Sequence, residues 1–195
     1  WTAASDDDND PLQYFMSLAD PDTGIWGLLP DNAVVNGSYE EYTDLDNGWQ
    51  RHADGWETYP DGDHYSVYLA GETVGFSDQV VDLYDGDAAI NLWGNGGENN
   101  VFQTYFDGAI PPGTEWWADA MVYVPSASAM DPEGHLAIFG KYFTSDWGWL
   151  GMDTVRYMPA YGADEWHYVG VQGIVPEGAE TVQIGVMLVG GTNTG

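Results

Sequence analysis

From residue 33 onward the chain is a series of short alternating segments cut apart by clusters of Gly, Pro, Asn and Asp, and this punctuation limits the fold more than any other feature. The clearest segments are Tyr65–Leu69, 88–93, 101–106, 115–124, His135–Phe143, 166–172 and Thr181–Val189. In the last, Val182, Ile184, Val186 and Leu188 fall on one face and Thr181, Gln183 and Gly185 on the other, the period of a strand lying over a core. Two segments follow the same corner chemistry, Pro111-Pro112-Gly113-Thr114-Glu115 and Pro176-Glu177-Gly178-Ala179-Glu180. They read as one kind of corner used twice in a single unit. No long helical period follows residue 30 and no linker divides the chain, so the pattern predicts one all-β sandwich or barrel.

Residues 1–32 differ. They begin Trp-Thr-Ala-Ala, carry the acidic run Asp6-Asp7-Asp8-Asn9-Asp10, and read as an N-terminal arm, solvated or exchanged with a neighbouring molecule. Leu12, Phe15, Met16, Leu18 and Ala19 have partial helical spacing, which predicts a short helix after Pro11. A start at Trp1, without an initiator Met or a charged-then-apolar leader, predicts a processed, exported protein.

Charge decides which partners are admissible. The 195 residues hold 32 Asp+Glu against 3 Lys+Arg, a net charge of −29. Hydrophobic residues are 44% and aromatics 15%, so this charge sits on a folded body and not on a disordered tail. Nucleic acid is excluded as a partner because Arg51, Lys141 and Arg156 cannot form a basic stripe. Repulsion excludes an anionic membrane surface, and no apolar run approaches the roughly 20 residues of a membrane helix. There is no cysteine, so disulfides and thiolate metal sites play no part. The composition predicts a secreted protein at home in salty or calcium-containing water, where carboxylates hold cations and hydration.

Three landmarks in order carry a family likeness: Val35-Asn36-Gly37-Ser38-Tyr39-Glu40 followed by Gly48-Trp49; Asp85-Gly86-Asp87-Ala88-Ala89-Ile90-Asn91-Leu92-Trp93-Gly94-Asn95; and Val101-Phe102-Gln103 leading to Pro112-Gly113-Thr114-Glu115-Trp116. Residues 33–195 resemble non-catalytic carbohydrate-binding modules of the β-jelly-roll, galactose-binding-like type, with Tyr39 where that family usually has Phe. The resemblance implies two packed antiparallel sheets, a structural calcium near the first strand, and an aromatic sugar-binding face or rim. By position, Glu40 and Asp87 are its candidate calcium ligands. The family usually ends in a further strand bearing a metal-binding Asp, whereas this sequence stops at Gly190-Gly191-Thr192-Asn193-Thr194-Gly195. A sandwich lacking that strand is expected to expose a sheet edge and a gap over its core, filled by the arm or by a neighbour's strand.

Acidic pairs within one turn are the strongest cation signal. Asp20 with Asp22, Asp44 with Asp46, Asp61 with Asp63, and Asp85 with Asp87 each precede or enclose a glycine or turn residue, and each is also a plausible solvated turn. None has the bidentate Glu spacing of an EF-hand. Aromatics are the strongest ligand signal, since sugar rings stack their C–H faces on Trp and Tyr. Trp147-Gly148-Trp149 is read as an extended segment with both indoles on one side, next to Tyr142, and either binds ligand or fills an interface. Trp49, Trp56, Tyr59 and Tyr65 form a second group, while Trp93, Trp116 and Trp117 are expected in the core.

Catalytic signals are weak. The serines lie outside any nucleophile-elbow motif, and His52, His64, His135 and His167 are scattered. Asp119 is the one acid inside an apolar strand and is expected to hydrogen-bond or hold an ion. The reading is therefore non-catalytic: a secreted, calcium-stabilised jelly-roll sandwich binding extracellular polysaccharide. The alternative is a subunit of an extracellular filament or tube, a homopolymer joined by strand exchange and calcium.

Overall fold

The computed structural model describes residues 17–19, 26–28, 34, 36–46, 50–60, 64–73, 80–84, 86–93, 97–126, 134–157 and 162–190, the first two segments as backbone only. Among them run thirteen strands: β1 (Ser17–Ala19), β2 (Trp26–Leu28), β3 (Tyr42–Asp44), β4 (Arg51–Ala53), β5 (Glu57–Tyr59), β6 (Tyr65–Leu69), β7 (Ala88–Leu92), β8 (Glu98–Tyr105), β9 (Glu115–Tyr123), β10 (His135–Phe143), β11 (Trp149–Tyr157), β12 (Trp166–Ile174) and β13 (Thr181–Val189). The fold is an all-β antiparallel sandwich of jelly-roll type. One layer is a five-stranded sheet in the order β11-β10-β13-β8-β5. Facing it are the separate pairs β12-β9 and β6-β7, with β3-β4 beside them.

Alternation puts the larger apolar residues between the layers. Val101, Ile138, Val182, Ile184 and Val186 from the five-stranded sheet meet Trp116, Ala118, Val122, Val169 and Val171 from β9 and β12. At the centre lies Trp116, 2% exposed, and two glycines make room for it. A Cβ on Gly140 of β10 would run into its indole ring, and one on Gly173 of β12 would crowd its Nε1 and the Asp153 carboxylate. The missing side chains are therefore part of the packing, since an interior this dense has no space to lend.

β13 departs from the simple one-faced expectation. Val182, Ile184 and Val186 do face the core, but Met187 on the opposite face is 3% exposed and packs with Phe102, Ala137 and Phe139 in a second apolar cluster. The outer side of this sheet is thus apolar and buried here as well, and Gly185 lets β8 approach at Phe102. The two predicted corners are both turns, with Gly113 and Gly178 at φ 84° and 82°. They are also linked: Gly113 donates to the Val175 carbonyl at 2.8 Å and Val175 to that of Thr114 at 2.9 Å.

The arm expected at residues 1–32 lies outside the described residues except for the β1–β2 hairpin. There Leu18 and Ala19 of the expected helix are corrected, because Ser17–Ala19 is a strand paired with Trp26–Leu28, while Leu12, Phe15 and Met16 lie outside the described residues. In the second layer, β6-β7 and β12-β9 are not joined by hydrogen bonds. A cleft of about 160 Å³ opens between them, lined by Ile90 and Leu92 of β7, Ala120 and Val122 of β9, and Leu136 and Val186 of the opposite sheet.

Two of the three cations are held structurally. Arg51 makes a two-pronged pair with Glu72 at 2.7 and 2.8 Å and lies 3.3 Å from Asp44. Lys141 lies over the Phe139 ring and binds Glu98 at 2.7 Å and Asn100 at 3.0 Å.

Candidate functional site

β10 and β11 are joined by a tight turn whose geometry is set by one threonine. The Thr144 hydroxyl accepts from the Gly148 N–H at 2.8 Å and donates to the Asp146 carboxylate, while the Thr144 N–H reaches the Gly148 carbonyl at 2.9 Å. The Trp147 N–H closes the turn on the Thr144 carbonyl at 3.0 Å. These bonds hold Trp147 at φ 65°, left-handed backbone that a bulky residue seldom adopts. The Thr144 hydroxyl, with further help from backbone N–H groups, keeps Asp146 below the usual carboxylate range, so its charge is fixed at neutral pH.

The turn builds an aromatic cluster. Phe143 ends β10 and faces outward, with Trp147 packed edge-on at 5.4 Å and Trp149 at 5.5 Å. Phe106, just past β8, meets Trp147 at 6.1 Å. Trp147 is 53% exposed and Trp149 57%, with Phe106 and Leu150 also exposed. The surrounding backbone is tied down, since Glu180 donates to the Phe143 carbonyl and Gly108 to that of Glu180, both at 2.9 Å. The end of the sheet thus presents a fixed aromatic ridge with Asp107 and Asp146 on its surface.

Several sequence readings change here. The Trp147-Gly148-Trp149 segment is a turn entering β11, not an extended segment, and its indoles converge because both pack on Phe143. Tyr142 is corrected from a ligand contact to a core residue at 2% exposure. Strand parity sends it inward, where it accepts from Trp116 Nε1 at 2.6 Å and donates to Asp153 at 2.7 Å. Burial, reinforced by Asp153, pushes its hydroxyl well above the ordinary tyrosine range, which keeps it a donor.

The second aromatic group divides. Trp56 is half-buried, tilted on Tyr39 at 5.0 Å, and donates to the Asn36 carbonyl at 3.0 Å, so it serves packing more than an open platform. Tyr65 is fully buried and Tyr59 is 65% exposed, while Trp49 lies outside the described residues. Trp116 is core as expected, but Trp93 and Trp117 are partly exposed. Phe106 and Phe143 join the ridge without having been singled out. An aromatic followed at once by a turn, as in Phe106-Asp107-Gly108, is the signal that marks such a position.

Of the metal candidates, Glu40, Asp44, Asp46 and Asp87 lie among the described residues. Glu40 Oε1 accepts from the backbone N–H groups of Asp87 and Ala88 at 2.8 and 3.2 Å, so it braces the turn before β7 directly. Asp44 lies against Arg51, and Asp46 is exposed. Asp20, Asp22, Asp61, Asp63 and Asp85 lie outside the described residues. Among the described residues no group of three or more His, Asp or Glu side chains could hold a metal ion. Among them also no helix is long and apolar enough to cross a membrane.

No family model and no curated protein matches the chain. Among solved structures it is similar to one described as carbohydrate-binding modules from the β-sandwich superfamily, at 13% identity and a TM-score of 0.47, over 71% of this chain and 52% of that one. It is also similar to the C-terminal family 22 carbohydrate-binding module of Clostridium thermocellum Xyn10B, at 15% identity and 0.45, over 80% and 86% of the two chains. A third likeness is to the CBM22-1 and GH10 modules of the N-terminal xylanase 10B of Clostridium thermocellum, at 13% identity and 0.43, over 73% of this chain and 26% of that one. The chain spans about half the length of the first of these structures. Likeness at this level concerns sandwich architecture and says nothing of what this chain binds.

Proposed function

We propose that this protein is a secreted, non-catalytic glycan-binding module whose ligand platform is the aromatic ridge at the β10–β11 turn. The observation that carries the reading is Trp147 and Trp149, each more than half exposed and braced on Phe143 by a turn that holds Trp147 in left-handed backbone. Sugar rings would stack on the indoles, and Asp107 and Asp146 would accept from hydroxyls. Rigid aromatics bind with little ordering cost, which suits shallow sites. The test is affinity for a panel of neutral polysaccharides. Trp147→Ala and Trp149→Ala should each weaken binding roughly ten- to thirtyfold, the size expected of an aromatic anchor. Equal affinity in both variants sinks the assignment.

Calcium belongs to the proposal as charge compensation for the acidic turns, with no site assigned to Glu40, Asp87 or the other pairs. A second reading, self-assembly by strand exchange, is supported by the apolar cleft between β7 and β9, two strands that do not hydrogen-bond to each other. It requires particles larger than a monomer in light scattering. Their size should fall on removal of residues 1–30 or on calcium chelation, and a monomer unaffected by either treatment would exclude it.

A further inference from the structure

The segments that meet at the β10–β11 ridge are charged with one sign. Residues 105–109, 143–150 and 176–181 hold Asp107, Asp146, Glu177 and Glu180 and no Lys, Arg or His. All four acids are exposed, and none is ion-paired with a described residue. Lys141 stands two positions before Phe143 on the same face of β10, but it turns away. Its ammonium lies over the Phe139 ring and bonds to Glu98 and Asn100.

The carboxylate nearest the indoles is held in place. Asp146 Oδ1 accepts from the Thr144 hydroxyl and lies 3.5 Å from where a Cβ of Gly148 would be, beside the glycine that separates Trp147 from Trp149. The rings meet steeply, at 61° for Phe143 and Trp147, 72° for Phe143 and Trp149, and 82° for Phe106 and Trp147. Both indoles stay more than half exposed, so each offers ring surface to a ligand. An aromatic face is the negative pole of the ring's quadrupole and attracts a cation, as Phe139 does Lys141. A fixed carboxylate between two such rings adds to that attraction.

Hydration and ligand number decide which cation fits. A hard metal ion wants several oxygen ligands, and among the described residues no group of three or more His, Asp or Glu side chains could hold one. An ammonium carried on carbon needs less: its C–H surface stacks on an indole, its charge faces the ring, and its N–H groups donate to Asp146.

We propose that the ridge is a site for an organic ammonium group, so that the glycan it selects is an amino-sugar polymer with free, protonated amines. This rests on the reading of the ridge as a glycan platform and adds the charge of the ligand. A chain of net charge −29 attracts any polycation at long range, whereas the ridge supplies a short-range part that depends on named residues.

The experiment is calorimetric titration of the full chain with the hexasaccharide of glucosamine and with its fully N-acetylated, neutral counterpart. The buffer holds about 150 mM NaCl, which screens charges beyond roughly 8 Å, at a pH below the titration of the amines. The proteins are the wild type, Trp147→Ala/Trp149→Ala, Asp107→Asn/Asp146→Asn, and Glu41→Gln/Glu57→Gln, which removes the same charge outside the ridge segments. Thermal unfolding checks that each is folded. Asn at 146 still accepts from Thr144, and Asn tolerates the left-handed backbone at 107.

The wild type should bind the amine form about tenfold more tightly than the acetylated one. That ratio should fall to about threefold or less in Asp107→Asn/Asp146→Asn and stay within about twofold of its wild-type size in Glu41→Gln/Glu57→Gln. Tetramethylammonium chloride should displace the amine form where equal NaCl does not. Equal affinity of the wild type for the two hexasaccharides overturns this inference and leaves the platform standing. A preference lost equally in both acid-removing variants is general attraction, which also overturns it. A Trp147→Ala/Trp149→Ala protein that binds both hexasaccharides like the wild type, or a wild type that binds neither, contradicts the platform and this inference with it. If Asp107→Asn/Asp146→Asn fails to fold, Asp107→Asn alone and the tetramethylammonium displacement decide, and no effect in either is equally contrary.

Discussion

Tyr142 shows how a single residue position can be misread and what corrects it. Tyr142 and Phe143 are adjacent aromatics, and composition does not say which of them enters the core. Strand parity decides, and the parity of β10 is set by Gly140, which must face Trp116. Tyr142 then links Trp116 Nε1 to Asp153 inside the sandwich. Tyr142→Phe is expected to destabilise by about 1–3 kcal/mol, because it leaves a buried N–H and a carboxylate without their partner; chemical denaturation measures it, and no loss would contradict the network. Asp119 gives a prediction of opposite sign. Burial raises its carboxyl above the unfolded value, so the stability of the protonated form is present below the unfolded pKa and lost as pH rises through the folded one. Asn at 119 can still accept from Tyr168 without a charge, so Asp119→Asn should melt about 1–3 °C above the wild type at pH 7. The gap should close near pH 3, and a gap that widens in acid would contradict the assignment.

At the scale of elements, the strands that were legible in the sequence are those with clear alternation between Gly, Pro and Asp breaks. β6, β10 and β13 fall at the predicted bounds, and β7, β8, β9 and β12 differ from them by a few residues at their ends. β11 was not legible, because Trp149 to Tyr157 mixes Gly151, Asp153 and Arg156 into its rows and is held at the sheet edge by pairing with β10. The turn before it was missed for the same reason: a left-handed Trp147 is imposed by Thr144 and has no propensity signature. This assigns Thr144 a positioning role. Thr144→Val keeps the shape of the side chain and removes both hydroxyl bonds, so the melting temperature should change by no more than a few degrees while affinity for the polysaccharide falls about three- to tenfold. Unchanged affinity would mean that the ridge does not depend on the turn.

For the whole molecule, charge was the most legible property and the least informative about where cations sit. With Arg51 and Lys141 held in ion pairs, the surface is almost uniformly acidic, and self-repulsion opposes the compact state. The melting temperature should therefore rise between about 10 and 150 mM NaCl, as the screening length falls from roughly 30 to 8 Å. Calcium at matched ionic strength should raise it further, and a chelator should reverse only that added part; identical curves with and without calcium would leave simple screening as the whole effect.

The central claim, that the braced indoles at 147 and 149 form a glycan platform, is tested most directly by following the indole N–H resonances of the ten tryptophans while a binding polysaccharide fragment is added. The prediction is that the signals of Trp147 and Trp149 move with saturation while those of the core residue Trp116 and the packed Trp56 stay in place. Saturable binding with the Trp147 and Trp149 signals unmoved would contradict it.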